Sequence, residues 1–180
     1  MRKKFALITA FVLLLVSVAG TVAFLADKTE NVVNTFQATE VTSYVHETFT
    51  NGTKTNVYIE NTGDIPAYIR AAIVVNWVDP TDSTKILGVK PTESDYTMVL
   101  NIPSEPTSDP HWIEGNDGYY YYPSPVDPGQ FTADLIESCS LKTGVTPPDG
   151  YVLSVEILSS AIQAQPANVV KDVWGYTPSN

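Results

Sequence analysis

The sequence is poor in the residues that build metal centres and covalent cross-links. Its 180 residues include one cysteine, Cys139, and two histidines. One cysteine excludes an intrachain disulfide framework and any multi-thiolate zinc or iron–sulfur site, and two histidines exclude a three-histidine zinc centre. The sequence also has no P-loop, no dinucleotide-binding glycine pattern and no G-x-S-x-G nucleophile turn. The common cofactor and nucleophile motifs are therefore missing.

Cationic residues are scarce as well. Ten Lys and Arg stand against twenty Asp and Glu, which gives a formal net charge of −10. Nucleic-acid binding needs cations that neutralise phosphates, so this balance excludes a nucleic-acid partner. Charged residues make up only 17% of the chain, whereas it contains 10 Tyr and 13 Pro. That composition is too aromatic for a disordered acidic chain, and the length fits one domain behind a targeting segment.

The N-terminus has the layout of a secretory signal peptide. Three cations at positions 2–4 precede an apolar run from Phe5 to Ala19, and the small residues of Gly20–Ala23 follow. This layout predicts a signal helix within residues 1–23 and cleavage between Ala23 and Phe24. The alternative is an uncleaved membrane tether, because residues 5–26 carry no charge and are long enough to span a bilayer. Cleavage would leave seven cations against twenty anions, a net charge of −13.

Residues 24–36 are predicted to form an N-terminal arm between the signal peptide and the folded domain. Cleavage would free this arm, which could then pair with an edge strand of another copy of the protein. The alternatives are an arm that folds back as the first strand of its own domain and one without fixed structure. The apolar residues that would make such a contact are Phe24, Leu25, Val32, Val33 and Phe36.

The remaining residues, 37–180, have the pattern of short β-strands separated by Pro- and Gly-rich turns. Alternation of period two is clearest over residues 68–77, where both faces are fairly apolar, as in a central strand that ends at Asp79-Pro80. No repeat of 20–50 residues occurs. The predicted fold is all-β, an antiparallel β-sandwich or jelly roll. Further strands are expected at 55–60, 96–102, 119–122, 131–141 and 151–164, and the expected core residues are Ile69, Ile73, Val75, Trp77, Leu153, Val155 and Ile157.

Short stretches along most of the chain resemble the TasA/camelysin family. Residues 20–27 (GTVAFLAD) resemble the end of its signal peptide, and Asn34-Thr35-Phe36 resembles the Asn-x-Phe that follows it. Residues 60–70 (ENTGDIPAYIR) resemble a strand of clostridial-type relatives. Later matches are residues 118–122, Pro128-Gly129, Leu135-Ile136 and 161–164. The resemblance implies export through a SipW-type signal peptidase, a β-sandwich, and assembly in the extracellular matrix or on the surface of a Gram-positive-type bacterium.

Camelysin-type relatives carry a metalloprotease label, but the zinc-binding motif is incomplete in this chain. His46-Glu47 begins an H-E-x-x-H pattern, and Thr50 stands where the second histidine ligand belongs. The motif needs both histidines on one helical face, and the only other histidine is His111. We therefore predict no catalytic residue and no enzymatic activity.

Calcium is the one cofactor that the composition leaves open. Asp109, Glu114 and Asp117 share a loop with Pro and Gly, and carboxylate oxygens are typical calcium ligands. The spacing of a calcium-binding loop is absent, so an acidic loop without an ion is the alternative. Beside this loop, Tyr119–Tyr122 could form either a packing layer or a sugar-stacking surface. Strand alternation would send Tyr119 and Tyr121 to one face and the other two to the opposite face.

These observations predict a secreted, non-catalytic structural protein of the matrix or cell surface. Its expected partners are other copies of itself, or related matrix subunits, in a fibre or biofilm, and the signal peptidase during export. Two alternatives remain: a carbohydrate- or receptor-binding surface module that uses exposed aromatics, and a camelysin-like surface peptidase.

Overall fold

The structure, a computed structural model, describes residues 39–103 and 109–178. The predicted signal peptide and arm, with Ala23, Phe24, Leu25, Val32, Val33 and Phe36, lie outside the described residues. In the described part no helix is long and apolar enough to cross a membrane. The elements are β1 (Ser43–Thr50), β2 (Thr53–Asn61), β3 (Ala67–Asp79), β4 (Asp82–Ile86), β5 (Tyr96–Leu100), β6 (Ile113–Glu114), β7 (Tyr120–Tyr121), β8 (Ile136–Leu141), β9 (Val152–Gln163) and helix α1 (Val169–Trp174).

The strands form two antiparallel sheets, so the all-β prediction is confirmed. Sheet A has four strands in the order β1-β2-β8-β5. Sheet B has five strands, with the path β4-β3-β7-β6 and β9 along the other side of β3. The longest ladder joins β3 to β9 without a break, from Ala67 opposite Gln163 to Val78 opposite Val152. Residues that are distant in sequence thus form the main part of sheet B.

Strand β3 confirms the predicted alternation as far as Val75. Beyond it Asn76, Trp77 and Val78 are all buried. Trp77 was predicted to face the same interior as Ile69, but it lies outside the main hydrophobic cluster. Ile69 is fully buried, and Ile73 lies opposite Ile157 while Val75 lies opposite Val155. These side chains pack in or against one hydrophobic cluster, as predicted. Ile73 is only partly buried, however, so Ile69 is the more sensitive probe of packing on this strand. The strand ends at Asp79, as the following proline requires.

Both sheets contribute to this hydrophobic core. Val57 and Ile59 enter from β2 and Ile69 from β3, each with no exposed surface. The largest fully buried side chain is Trp112, which lies in the loop before β6. Its indole Nε1 donates a 2.8 Å hydrogen bond to the carbonyl of Ala133. Burial of a large ring with its polar atom paired is the arrangement expected of a packing anchor.

The end of β2 is secured by a buried asparagine. Asn61 has no exposed surface, and its Oδ1 accepts a 3.0 Å hydrogen bond from the main-chain N–H of Gly63. Its Nδ2 donates to the carbonyls of Ile65 and Val126, at 2.8 and 2.7 Å. A Cβ at Gly63 would stand 2.5 Å from the carbonyl oxygen of Glu40, so only glycine fits there. Part of the stretch that resembles the family therefore has a structural role.

Two predicted strands are shorter than expected. The strand predicted at 119–122 contains only Tyr120–Tyr121, because the Tyr119 carbonyl accepts from the N–H of Gly115 and closes a turn. The strand predicted at 131–141 begins at Ile136. Before it, the main-chain N–H groups of Thr132 and Leu135 each donate one hydrogen bond to a carbonyl of β2, and these two bonds do not form a continuous ladder. Both predictions were wrong at these boundaries because loop hydrogen bonds replace the ladder.

Helix α1 was not predicted. Its apolar residues at 169, 170, 173 and 174 have helical spacing, and this was the signal that could have revealed it. Gly175 ends the helix in the left-handed conformation, with φ 68°, and its N–H donates to the carbonyl of Lys171. Val170 is fully buried. The helix brings Trp174 and Tyr176 toward sheet B.

Candidate functional site

An aromatic cluster surrounds the side chain of Arg70 on β3. The guanidinium carbon lies 4.0 Å from the centre of the Tyr119 ring and 4.7 Å from that of Trp174. Such positions favour a cation–π interaction with each ring. The buried Nε of Arg70 has no hydrogen-bond partner in the described part of the chain. The faces of aromatic rings therefore surround much of the Arg70 guanidinium.

Tyr121 joins the cluster to the acidic loop. Its ring stacks on Tyr176 at a centroid distance of 4.2 Å, and Trp174 lies 6.1 Å away at a tilt. Its hydroxyl donates a 2.6 Å hydrogen bond to Oδ2 of Asp117. This bond, followed by one from the main-chain N–H of Tyr119, lowers the pKa of Asp117. Burial first, and then the bond to Asp117, raise the pKa of Tyr121. The carboxylate is thus held ionised and in a fixed orientation.

An open cavity of about 430 Å³ lies beside this cluster. Gly115 forms part of its wall, where an added Cβ would stand 2.6 Å from Oδ1 of Asp117 and 2.7 Å from the Tyr121 ring. Any larger residue would push the wall apart. The other lining residues combine aromatic rings, carboxylates and an amide, and they are Glu114, Asn116, Asp117, Tyr121, Trp174, Gly175 and Tyr176.

The structure brings together two of the three residues that were predicted as calcium ligands. Glu114 and Asp117 line the same cavity. Asp109 does not line it, and its carbonyl lies 3.0 Å from Nδ1 of His111. Within residues 39–103 and 109–178, no three His, Cys, Asp or Glu side chains are grouped so that they could hold a metal. Calcium binding at this loop stays a prediction.

The other pair of tyrosines belongs to the core. Tyr122 is buried and its ring lies 5.4 Å from that of Trp112. Tyr120 packs against the same hydrophobic cluster. The four consecutive tyrosines therefore divide as the alternation predicted, with Tyr119 and Tyr121 on the side of Arg70.

A second aromatic cluster lies on β1 and β2. The His46 ring stacks on Tyr58 at 5.0 Å, and the exposed rings of Tyr44 and Phe131 meet it edge-on. Nε2 of His46 lies 2.7 Å from Oε2 of Glu60. His46, the first residue of the incomplete zinc motif, thus lies on a strand, and its ring contacts the carboxylate of Glu60. Sequence reasoning missed this cluster because its members come from three separate segments.

Strands β1 and β9 each form one edge of their sheet. In the described part, β1 pairs only with β2, and β9 pairs only with β3. A groove runs along residues 155–158 of β9 beside β1, and a cavity of about 460 Å³ shares Glu47, Lys54 and Val155 with it. Apolar side chains remain exposed here, including Phe49 (68% exposed) and Leu158 (56% exposed). Cys139 also lines the cavity, and burial raises the pKa of its thiol, which favours the protonated, unreactive form.

Replacing Tyr121 by Phe is expected to raise the pKa of Asp117 toward its ordinary value, because the hydroxyl bond is the main cause that lowers it. A lowered folded-state pKa contributes stability above the unfolded value of about 4, and this stability is lost as the pH falls through the folded value. The variant should therefore lose less stability on acidification. An NMR titration of the Asp117 carboxyl carbon measures the shift directly.

Tyr119→Phe is the matched control for this titration. It also removes a tyrosine hydroxyl from the cluster, but the main-chain N–H of residue 119 can still donate to Asp117. An Asp117 titration that is the same in both variants would contradict the assigned role of the Tyr121 hydroxyl.

The chain was also compared with known proteins. No family model matches it, and neither a curated protein nor a solved structure matches it significantly.

Proposed function

We propose that the two sheets stack as a β-sandwich of jelly-roll type, which follows an N-terminal signal helix within residues 1–23. Three observations support the stacking. Residues of both sheets share one hydrophobic cluster. The hydroxyl oxygens of Ser43 on β1 and Ser159 on β9 lie 2.8 Å apart. Nζ of Lys54 on β2 donates a 2.6 Å hydrogen bond to the carbonyl of Val155 on β9.

The function proposed for this sandwich is that of a secreted, non-catalytic subunit that assembles with itself, or with related subunits, into a fibre of the extracellular matrix or cell surface. The observation that carries this proposal is the unpaired edge of β9. No strand of the described part pairs with this side of β9, although Lys54 already bonds the Val155 carbonyl. Residues 155–158 border a groove, and Leu158 is an exposed apolar side chain there. An exposed edge has main-chain groups that can pair with a strand from another chain.

The proposed occupant of the groove is the arm of a neighbouring subunit, residues 24–36. Thirteen extended residues span about 43 Å, which is more than the groove-lining residues 155–158 of β9 require. Alternate apolar residues of the arm, such as Val33, would face the groove while its main chain pairs with the strand. The arm and the groove are different surfaces, so the contact is head-to-tail and can propagate into a filament.

Removal of residues 24–36 from the mature chain is expected to abolish filaments in negative-stain electron microscopy. The full mature chain, starting at Phe24, should form them. Filaments from the shortened chain would show that the arm is not the connector. If neither chain assembled at any ionic strength tried, including salt high enough to screen the net charge of −13, the fibre proposal itself would be wrong.

Leu158→Lys tests the groove separately from the arm. Leu158 is 56% exposed, so the change should leave folding intact while it places a charge beside the docked arm. We expect it to raise the protein concentration needed for assembly at least tenfold, as measured by light scattering. Val89→Lys is the matched control, since Val89 is 71% exposed and does not line the groove. Equal effects of the two changes would exclude β9 as the acceptor.

Export is the remaining part of the proposal, and it places the protein outside the cell or on the cell surface. Mass spectrometry of protein from the culture medium should give a mature N-terminus at Phe24, within a residue or two. A chain that begins at Met1 would instead support the membrane-tethered alternative.

A further inference from the structure

We propose that the cavity beside Arg70 is a binding site for one neutral sugar residue of a glycan. This site is separate from the assembly groove on β9, and the inference does not depend on fibre formation. It rests on the chemistry of the cavity wall, on the charges around it and on the fixed position of the Asp117 carboxylate.

The wall offers the two kinds of surface that a sugar ring needs. Trp174 and Tyr176 are partly exposed and supply aromatic area on which the C–H face of a pyranose can pack, while the buried Tyr121 ring stacks behind Tyr176. The carboxylates of Glu114 and Asp117 accept hydrogen bonds from hydroxyl groups, as an ionised carboxylate is an acceptor only. The volume of about 430 Å³ lies within the usual range of small-molecule sites, about 300–1,000 Å³.

The charges around the cavity select a neutral ligand. The guanidinium of Arg70 already lies against the rings of Tyr119 and Trp174, so an organic cation cannot stack on those ring faces. Glu114 and Asp117 repel an anion at the same place. Like charges brought close together disfavour binding strongly. A polyhydroxylated neutral group meets neither of these obstacles.

The carboxylate of Asp117 is already in position before any ligand binds. Asp117 accepts hydrogen bonds from the Tyr121 hydroxyl and from the main-chain N–H of Tyr119. The Tyr121 ring is in turn stacked on Tyr176. A site whose side chains are ordered in advance loses less conformational entropy on binding. The cavity is open, and we therefore expect millimolar affinity for a single sugar.

Tryptophan fluorescence provides a local readout for this site. Trp77 and Trp112 are buried, whereas Trp174 is partly exposed and lines the cavity. The full mature chain is titrated with cellotriose and, separately, with the trimer of N-acetylglucosamine, as examples of neutral glycans. A saturable fluorescence change with at least one of them is expected. No saturable change with either sugar would overturn the proposal.

Two conservative variants connect the signal to the cavity. Glu114→Gln and Asn116→Ala are expected to weaken sugar binding at least fivefold, because the first replaces a charged acceptor by a neutral amide and the second removes an amide from the wall. Glu137→Gln is the matched control, an exposed glutamate on β8 that does not line the cavity. Sugar binding that is unchanged in both cavity variants would place the site elsewhere and overturn the proposal. Saturable binding of tetramethylammonium at affinities equal to those of the sugars would also overturn it, in favour of a cation site.

Discussion

Replacing Asn61 by Asp is expected to destabilise the fold by about 3–5 kcal/mol at pH 7, the usual cost of a buried charge without a partner. The side chain is fully buried, and its Nδ2 donates to the carbonyls of Ile65 and Val126. A carboxylate has no hydrogen to donate, so its negative oxygen would face two carbonyl oxygens. The measurement is a urea denaturation curve at constant ionic strength.

The loss should depend on pH in a defined direction. Burial against two carbonyls disfavours the ionised form, so the pKa of the introduced carboxyl in the folded state is raised above its unfolded value of about 4. Below that value the group is protonated in both states and the penalty is smallest. The penalty grows as the pH rises from about 4 toward the folded-state pKa. The variant should therefore be closer to the wild type at pH 4 than at pH 7.

Asn56→Asp is the matched control for this prediction. It makes the same change in charge on the same strand, at an exposed position with a positive φ that Asp tolerates. We expect it to change stability by no more than about 0.5 kcal/mol. Equal losses for the two variants, or a loss at residue 61 that does not vary with pH, would contradict the role assigned to Asn61.

Replacing Trp112 by Ala is expected to cost about 3–5 kcal/mol, the range found when large buried aromatics are truncated. The side chain is the largest that is fully buried and belongs to the cluster shared by both sheets. Its loss leaves a cavity, and it also leaves the carbonyl of Ala133 without the indole donor. Denaturant unfolding followed by circular dichroism measures the change in the free energy of unfolding.

Trp174→Ala serves as the control for size and residue type. Trp174 is partly exposed, and its contacts include the guanidinium of Arg70 over its face at 4.7 Å and the tilted ring of Tyr121 at 6.1 Å. A cation–π contact of this kind contributes about 0.5–2 kcal/mol, so the loss should be clearly smaller than at Trp112. A loss below about 1 kcal/mol for Trp112→Ala would mean that the loop before β6 does not anchor the core.

The strands that could be predicted are those with one consistently buried face. Residues 68–77 alternate for ten positions, and the phase of this segment and of residues 151–157 predicted that Val75 and Val155 face one interior. That the two residues lie directly opposite each other is known only from the structure. Strands β4 and β6 could not be predicted in this way. They are five and two residues long, so they have little or no alternation, and the β4 sequence is mostly polar. Helix α1 is also short, and its spacing was a weak signal in a polar tail.

The two candidate sites differ in how much the sequence could reveal. Glu114 and Asp117 are neighbours in the chain, and their grouping was predicted for that reason. Arg70 and Trp174 are more than a hundred positions apart, and only the pairing of β3 with β7 and the return of helix α1 bring them together. The position of β9 at an edge likewise becomes known only when the pairing of every strand is assigned. The sequence of a strand does not show whether it has a neighbour on one side or on both.

The all-β class, the phase of the long strands and the division of the four tyrosines between two faces can be derived from the sequence. These properties follow from period-two alternation, which is local and depends only on which side chains avoid water. What lies against each face is visible only in the folded chain: the rings around Arg70, the hydrogen bonds of Asn61 and the groove beside β9. Such contacts join segments that are far apart in the chain. The local pattern of apolar and polar residues does not show which distant segment will pack against a given face.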